Sequence, residues 1–323
     1  MCLGFFLSLS YFQLTIMPSF IISRLLSTLT VILGVITLIF LLIHLVPGDP
    51  VQAMLGETAT PTDLEALRQA LGLNQPLFTQ WWQYMTHLLQ GDLGTSLYSQ
   101  EPIIDIMIER FPATLELAIA GLLVAVLIAL PLGSIAALRK DTIYDNSAMV
   151  FSLLGVSIPN FWLGPLLILL FSLTLGWFPV SGRENFLSLI LPALTLGTAL
   201  SAILARMIRS TLLEVLNEDY IRTARAKGLR ESAIVIHHAL RNASLPIITI
   251  LGLQLGTLLG GAVITEIIFA WPGIGQLTIE SIQRRDYPLV QACILLISVS
   301  YVLINTLTDV LYAWLDPRVR YSV

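Results

Sequence analysis

Lysine is almost missing from this 323-residue chain: only Lys140 and Lys227 occur, and neither closes a glycine-rich turn. A P-loop needs Gly-Lys at the end of such a turn to cradle phosphates, so ATP binding of that kind is excluded. Charge of either sign is scarce, at 12% of residues against about 25% in soluble domains. A larger core cannot explain the deficit, because a folded soluble protein still needs a solvated surface. The two cysteines, Cys2 and Cys293, stand too far apart for a metal-ligand spacing or a disulfide framework. There is no H-E-x-x-H and no G-x-S-x-G, and the adjacent His237 and His238 point in different directions on a helix. His44 and His87 are isolated. Enzyme chemistry, a cofactor and a resident metal are therefore not expected, and the net charge of −4 argues against a nucleic-acid partner.

What the chain has in abundance is apolar residues, 56% of the total. A helix needs about 20 mostly apolar residues to cross the hydrocarbon of a bilayer. Six stretches qualify: 25–46, 113–138, 147–175, 188–208, 246–269 and 288–315. The fold class is thus all-α, a polytopic membrane protein with six transmembrane helices. The third stretch carries Pro159 and Pro165 and is expected to kink. The fourth is the weakest, since it runs into Arg206 and Arg209.

Basic residues set the orientation. With the N-terminus cytoplasmic, twelve fall inside: Arg24, Arg139, Lys140, Arg206, Arg209, Arg222, Arg225, Lys227, Arg230, Arg241, Arg318 and Arg320. Five fall outside: Arg68, Arg110, Arg183, Arg284 and Arg285. Both termini are therefore placed in the cytoplasm. Residues 1–24 form a cytoplasmic N-terminus, 25–46 the first span, and 47–112 an external helical segment. A core of five spans follows over 113–315, and 316–323 form a cytoplasmic tail. Within 1–24, residues 1–16 lack the positive n-region of a secretory signal. They read as an extension before a more natural start at Met17.

In the external segment, TPTDLEALRQAL offers Thr60 or Thr62 as an N-cap, with Leu64, Leu67 and Leu71 at helical spacing and Gly72 as a stop. PLFTQWWQYMTHLL reads as a second, amphipathic helix, with Trp81, Trp82 and Tyr84 suited to a membrane interface.

One stretch looks foreign to the rest: RTARAKGLRESAIVIHHALRNASLP, 222–246, between the fourth and fifth spans. LNEDYIRTARAKG reads as a short helix with Asn217 as its cap, Glu218 and Asp219 in the first turn and Gly228 at its end, which suits the helix dipole. A second helix is expected over 231–243, with Ile234, Ile236 and Leu240 as its apolar positions. Two readings are open on physics alone. One is a solvated connector carrying inside charge; the other is a docking element laid into a groove of a soluble partner.

The loop resembles the EAA loop of the membrane subunits of ABC importers, specifically the branch carrying dipeptides, oligopeptides and nickel. VPGDP (46–50), LGLNQPLFTQWWQYMTHLLQGDLGTSL (71–97), PATLEL (112–117) and GVSIPNFWL (155–163) are similar to that branch. So are ARAKG (224–228), LRNASLP (240–246), FAWPGIG (269–275), RDYP (285–288) and DPRVR (316–320). Each motif is weak alone, but nine in order are specific. FAWPG, LRNASLP and NFWL stand closer to the nickel members. Arg222-Thr223-Ala224 occupies the place of Glu-Ala-Ala, and His238-Ala239-Leu240-Arg241 that of I-x-L-P, while Gly228 is retained.

The resemblance implies a type I importer fold and a coupling loop, 210–245, resting on an ATPase subunit. Arg222, Thr223, Ala224, Arg225, Ala226, Lys227, Gly228, Leu229, His238, Leu240 and Arg241 are its contact candidates. It further implies a second permease subunit, two ATP-binding cassette subunits, an external substrate-binding protein and a place in the bacterial cytoplasmic (inner) membrane. The cargo would be nickel, free or chelated, or di- and oligopeptides.

Within the spans, Glu116 and Glu266 lie near external ends, with solvated positions as the plainer reading and an outer-path role as the sharper one. Asp309 and Asn305, four residues apart, suit helix–helix hydrogen bonding. Gly252, Gly256 and Gly260, with Gly261 adjacent, form a face for close helix packing, against this chain or a second subunit. FAWPGIG cannot continue a helix; a turn or re-entrant segment is expected, with Trp271 at the membrane interface as a third outer-path candidate.

Two rivals are set aside. An ion-gradient-driven secondary transporter would need midplane acids, broken helices and usually an inverted repeat, whereas the acids here sit near span ends and no repeat is visible. A scaffold without transport would leave the basic loop and the external segment without a role.

Overall fold

A computed structural model describes residues 2–45, 50–56, 59–70 and 72–315. Residues 46–49 of VPGDP, and the tail with DPRVR, Arg318 and Arg320, lie outside the described residues, as do the side chains of 1–21. Among the described residues the regular structure is helical, with one isolated bridge between Thr95 and Pro102.

The helices in chain order are α1 (Cys2–Leu45), α2 (Pro50–Leu55), α3 (Pro61–Ala70), α4 (Leu77–Leu89), α5 (Ile103–Leu138), α6 (Ile143–Ser157) and α7 (Asn160–Leu167). There follow a π-helical stretch over Ile168–Thr174, then α8 (Phe186–Leu216), α9 (Asp219–Ala226), α10 (Glu231–Ala233) and a second π-helical stretch over Ile234–Ala239. The chain closes with α11 (Leu240–Gly261), α12 (Val263–Ile268), α13 (Ile274–Gln283) and α14 (Tyr287–Leu315).

Among the described residues, four helices are long and apolar enough to cross a membrane by themselves, in α1, α5, α8 and α14, and two bent pairs bring the number up to six. The third span is more than kinked. Ile158 and Pro159 are extended (ψ 114° and 142°), and the helices on either side meet at 101°. The residue before a proline is pushed out of the α region, and here the following residue has left it too. At the start of the fifth stretch, beside Pro246, the chain bends by 57° between 231–244 and 246–260. The helix that holds the second apolar stretch starts at Ile103, ahead of that stretch. Charged residues such as Arg110 limit the apolar run but not the helix, which at 1.5 Å per residue projects well past a hydrocarbon layer about 30 Å thick.

α8, the weakest stretch by composition, is the most enclosed, and α5 is its chief neighbour. A Cβ on Gly133 would stand 2.6 Å from the Ala205 carbonyl oxygen, and one on Gly197 2.6 Å from Val124. These two glycines let the helix backbones approach closely, which lipid-embedded pairs use in place of a hydrophobic driving force.

The segment between α1 and α5 is tied to α1. Thr60 and Asp63 cap α3 reciprocally, with Thr60 Oγ1 donating to Asp63 Oδ2 (2.6 Å) and the Asp63 N–H to Thr60 Oγ1 (3.3 Å). On α4, Trp81 Nε1 donates to Thr37 Oγ1 (3.2 Å), and Gln80 Oε1 lies 3.1 Å from His44 Nε2.

Candidate functional site

The basic loop is held by few residues and displays many. Ile221 and Ala224 on α9 bury one edge of the helix, and Ile234, Ala239 and Ala243 meet them from the far side of the turn. All five belong to one buried cluster with Leu204, Ala205, Ile208 and Leu212 of α8 and Ala129 and Ala137 of α5. Burial of a branched aliphatic side chain contributes roughly 2 kcal/mol, so Ile221 and Ile234 are the main anchors.

The remainder faces outward: Arg222, Thr223, Arg225, Ala226, Lys227, Gly228, Leu229, Arg230 and Arg241 are exposed, and His238 and Leu240 are half-buried. Ala224, one of the contact candidates, is turned into the core instead, and Ile236, expected among the apolar anchors, is exposed. Gly228 sits at φ +77°, with its N–H donating to the Arg225 carbonyl (2.9 Å), and this left-handed residue ends α9. Arg225 is fixed across the turn by Glu231 (Nε to Oε1, 2.7 Å), a bond that pushes its guanidinium further up from its usual range. Tyr220 accepts from Asn242 Nδ2 (2.6 Å), a second stitch across the turn.

Two local expectations differ. Asn217 does not cap α9; it ends α8, its Nδ2 donating to the Leu213 carbonyl, and Glu218 takes the N-cap position without a side-chain bond. The helix expected over 231–243 is interrupted by the π-helical stretch 234–239. Just inside the loop, Arg209 on α8 holds Asp145 at the start of α6 with two parallel bonds of 2.6 and 2.7 Å.

The opposite end of the bundle carries the turn FAWPGIG. Ala270 at φ +45° reverses the chain after α12, and α13 runs on from Gly273. Trp271 is fully buried, not at an interface, and its Nε1 donates to the Ala113 carbonyl (2.8 Å). Glu266 is likewise 0% exposed rather than solvated. It accepts from Thr114 Oγ1 (2.7 Å) and from the Gln276 N–H (2.9 Å), while Thr114 Oγ1 accepts from the Ile274 N–H (2.8 Å). The glycines are what let the turn close over the carboxylate: a Cβ on Gly273 would come within 2.3 Å of it. Both side chains are enclosed within the turn.

Glu116 is half-exposed and paired with Arg183 (2.6 Å), whose guanidinium lies 5.8 Å from the Trp271 ring. Asp309 pairs with Arg24 on α1 (3.4 Å), a partner the spacing of Asn305 and Asp309 does not reveal.

The glycine face of α11 meets α14 of the same chain. A Cβ on Gly252 would overlap Thr308, one on Gly256 would lie 3.2 Å from Tyr301, and one on Gly260 3.7 Å from Ile297. Gly261 ends α11, and its surroundings lie outside the described residues. No group of three or more His, Cys, Asp or Glu that could hold a metal occurs among the described residues.

Comparison with known proteins agrees with this architecture. The family described as "Binding-protein-dependent transport system inner membrane component" matches residues 129–321. Its companion, "Binding-prot-dependent transport system membrane comp, N-term", matches 17–118. The glutathione transport system permease protein GsiC of Escherichia coli K12 is 45% identical over 306 residues, covering 95% of this chain and all of that protein. The protein of the same name from Salmonella typhimurium LT2 gives the same figures. Among solved structures, a chain of the MetNI methionine ABC transporter in inward-facing conformations superposes with a TM-score of 0.55 at 21% identity. That match covers 67% of this chain and 99% of the other, and it speaks for the fold alone. This chain therefore belongs to the membrane subunits of binding-protein-dependent ABC importers, as a multi-pass permease of the bacterial cytoplasmic membrane.

Proposed function

We propose that the chain forms one half of a translocation path for glutathione or a similarly short peptide, with a second permease subunit completing the path. Two ATP-binding cassette subunits drive it and an external binding protein delivers the cargo. The basic loop and both termini lie in the cytoplasm, where the excess of Arg and Lys belongs. The observation that carries the reading is the division of labour in the loop: Ile221, Ala224 and Ile234 seal it to α5 and α8, while Arg222, Lys227 and Arg230 are left facing outward. A solvated connector does not need to be fixed to two spans by a buried seam; a handle that transmits force does. The cargo follows from relatives named for glutathione, a tripeptide, at 45% identity over almost the whole chain.

The test is uptake in proteoliposomes holding both permeases, the ATPase and the binding protein. ATP-dependent accumulation of labelled glutathione, competed by short peptides and not by nickel, is the expected result. Preferential nickel uptake would reverse the cargo assignment. Transport by the chain alone on an ion gradient would end the importer reading. Charge reversal at Arg225 or Arg230, or a bulky residue at Gly228, is expected to release the ATPase on co-purification.

A further inference from the structure

We propose that the apolar groove between α1, α4, α5 and α14, open along one side, is a binding site for one phospholipid acyl chain, from the leaflet at the end of the bundle opposite the basic loop. The cavity has a volume of about 440 Å³, and no residue lining it bears a polar or charged side chain. Ile36 of α1, Met107 and Phe111 of α5 and Leu296 of α14 form its walls, and Met85 of α4 its roof.

Three observations set its occupant. The first is chemical. Water needs two to four polar partners to occupy a cavity, and a void left empty forfeits the dispersion contacts of its whole lining. A peptide cargo brings amides and charges that such walls cannot satisfy, so the cavity is not on the transport path. A saturated chain fits, and the two methionines offer adaptable walls to a flexible ligand.

The second is depth. Ile36 lies near the end of the apolar stretch Ile22–Leu41, and Leu296 lies within the first ten residues of α14. On α5 the lining residues Ile104, Met107, Ile108 and Phe111 share one face, while Asp105 and Glu109 occupy others and are exposed. That amphipathic pattern belongs at the boundary between head groups and hydrocarbon.

The third is continuity. α4 is pinned to α1 through Trp81 and Gln80, which leaves Phe78, Trp82 and Leu89 exposed along one stripe. Leu89 is 86% exposed and also lines the cavity, with Ile108 (65%) across the mouth. The apolar surface therefore runs from the exposed face of α4 into the groove, which is a route for a chain and not for a solvated ligand.

The test uses the assembled transporter in nanodiscs containing a phospholipid with a photoactivatable group at mid-chain. After illumination, adducts are mapped by mass spectrometry. Labelling of 85–93, 104–111 and 292–299 is expected to exceed that of ordinary lipid-exposed positions such as Leu169 and Leu173 by about threefold or more. Ala292→Trp, which fills the cavity, should abolish the excess and leave the control positions unchanged. Leu89→Glu, at an exposed position outside the packing, should do the same if the first variant fails to assemble. Equal labelling of cavity and control positions, or an excess that survives both variants, overturns the proposal. So does complete disulfide formation between Ile108→Cys and the second permease subunit, since that would put protein over the mouth.

Discussion

The two ends of the bundle solve the same problem in opposite ways. Each must reverse the chain between apolar helices, and each does so with a helix, a turn and a second helix. At the FAWPGIG turn the polar groups go inward: Glu266, Thr114 and the Trp271 N–H are buried and satisfied by one another and by backbone. At the basic loop a thin apolar seam goes inward and the charges go out. A turn whose carboxylate is bound by its own hydroxyl and backbone donors turns its charge away from any partner; a turn held by a seam of aliphatic side chains keeps its charged face available. The contrast teaches that charge in a membrane protein is informative only together with its partner, because Glu266 and Arg230 look equally out of place in the sequence.

The sharpest way to break the contrast is to remove the buried acid. Glu266→Leu leaves the Thr114 hydroxyl and the Gln276 N–H without an acceptor, a loss of about 3 kcal/mol, and should appear as a large drop in thermal unfolding temperature of the detergent-solubilised complex, with Glu266→Gln recovering part of it. Next comes the seam. Ile221→Ala opens a cavity under α9 at a cost of about 2–3 kcal/mol, and hydrogen exchange should show the loop fraying while the FAWPGIG turn keeps its protection. Trp271→Phe gives up one buried hydrogen bond, worth about 1 kcal/mol, and is expected to lower the melting temperature by a few degrees. Least in stability is Arg225→Glu: the pair with Glu231 is solvent-exposed and worth at most about 0.5 kcal/mol. Its melting curve should be close to wild type while ATPase co-purification is lost. An equal loss of stability at Arg225 and Glu266 would erase the distinction between the two ends.

Some of this was legible in the residues themselves. Apolar runs announced the membrane class, and Gly228 after an amphipathic octet announced the end of α9. Gly252 and Gly256 announced a packing face by their spacing of four, although only the structure identifies α14 as the surface they meet. Gly133 and Gly197 belong to no run of glycines spaced by four, and their match exists only across the α5–α8 contact. The sequence suggests an interfacial Trp271 because Trp is enriched at membrane interfaces; its hydrogen bond to the Ala113 carbonyl joins positions 158 residues apart. Arg110 drew the boundary of the second span inward, since hydropathy reports where hydrocarbon ends and not where a helix does.

By itself, then, the amino-acid order determined that this is a helical membrane protein with a basic handle between its fourth and fifth apolar stretches, because transfer free energy and helix capping are local sums over neighbouring residues. The tertiary structure alone decided which acids are buried, which glycines touch, where the third span breaks through 101° and where a cavity opens. Those depend on pairs of residues distant in sequence, and no local sum contains them.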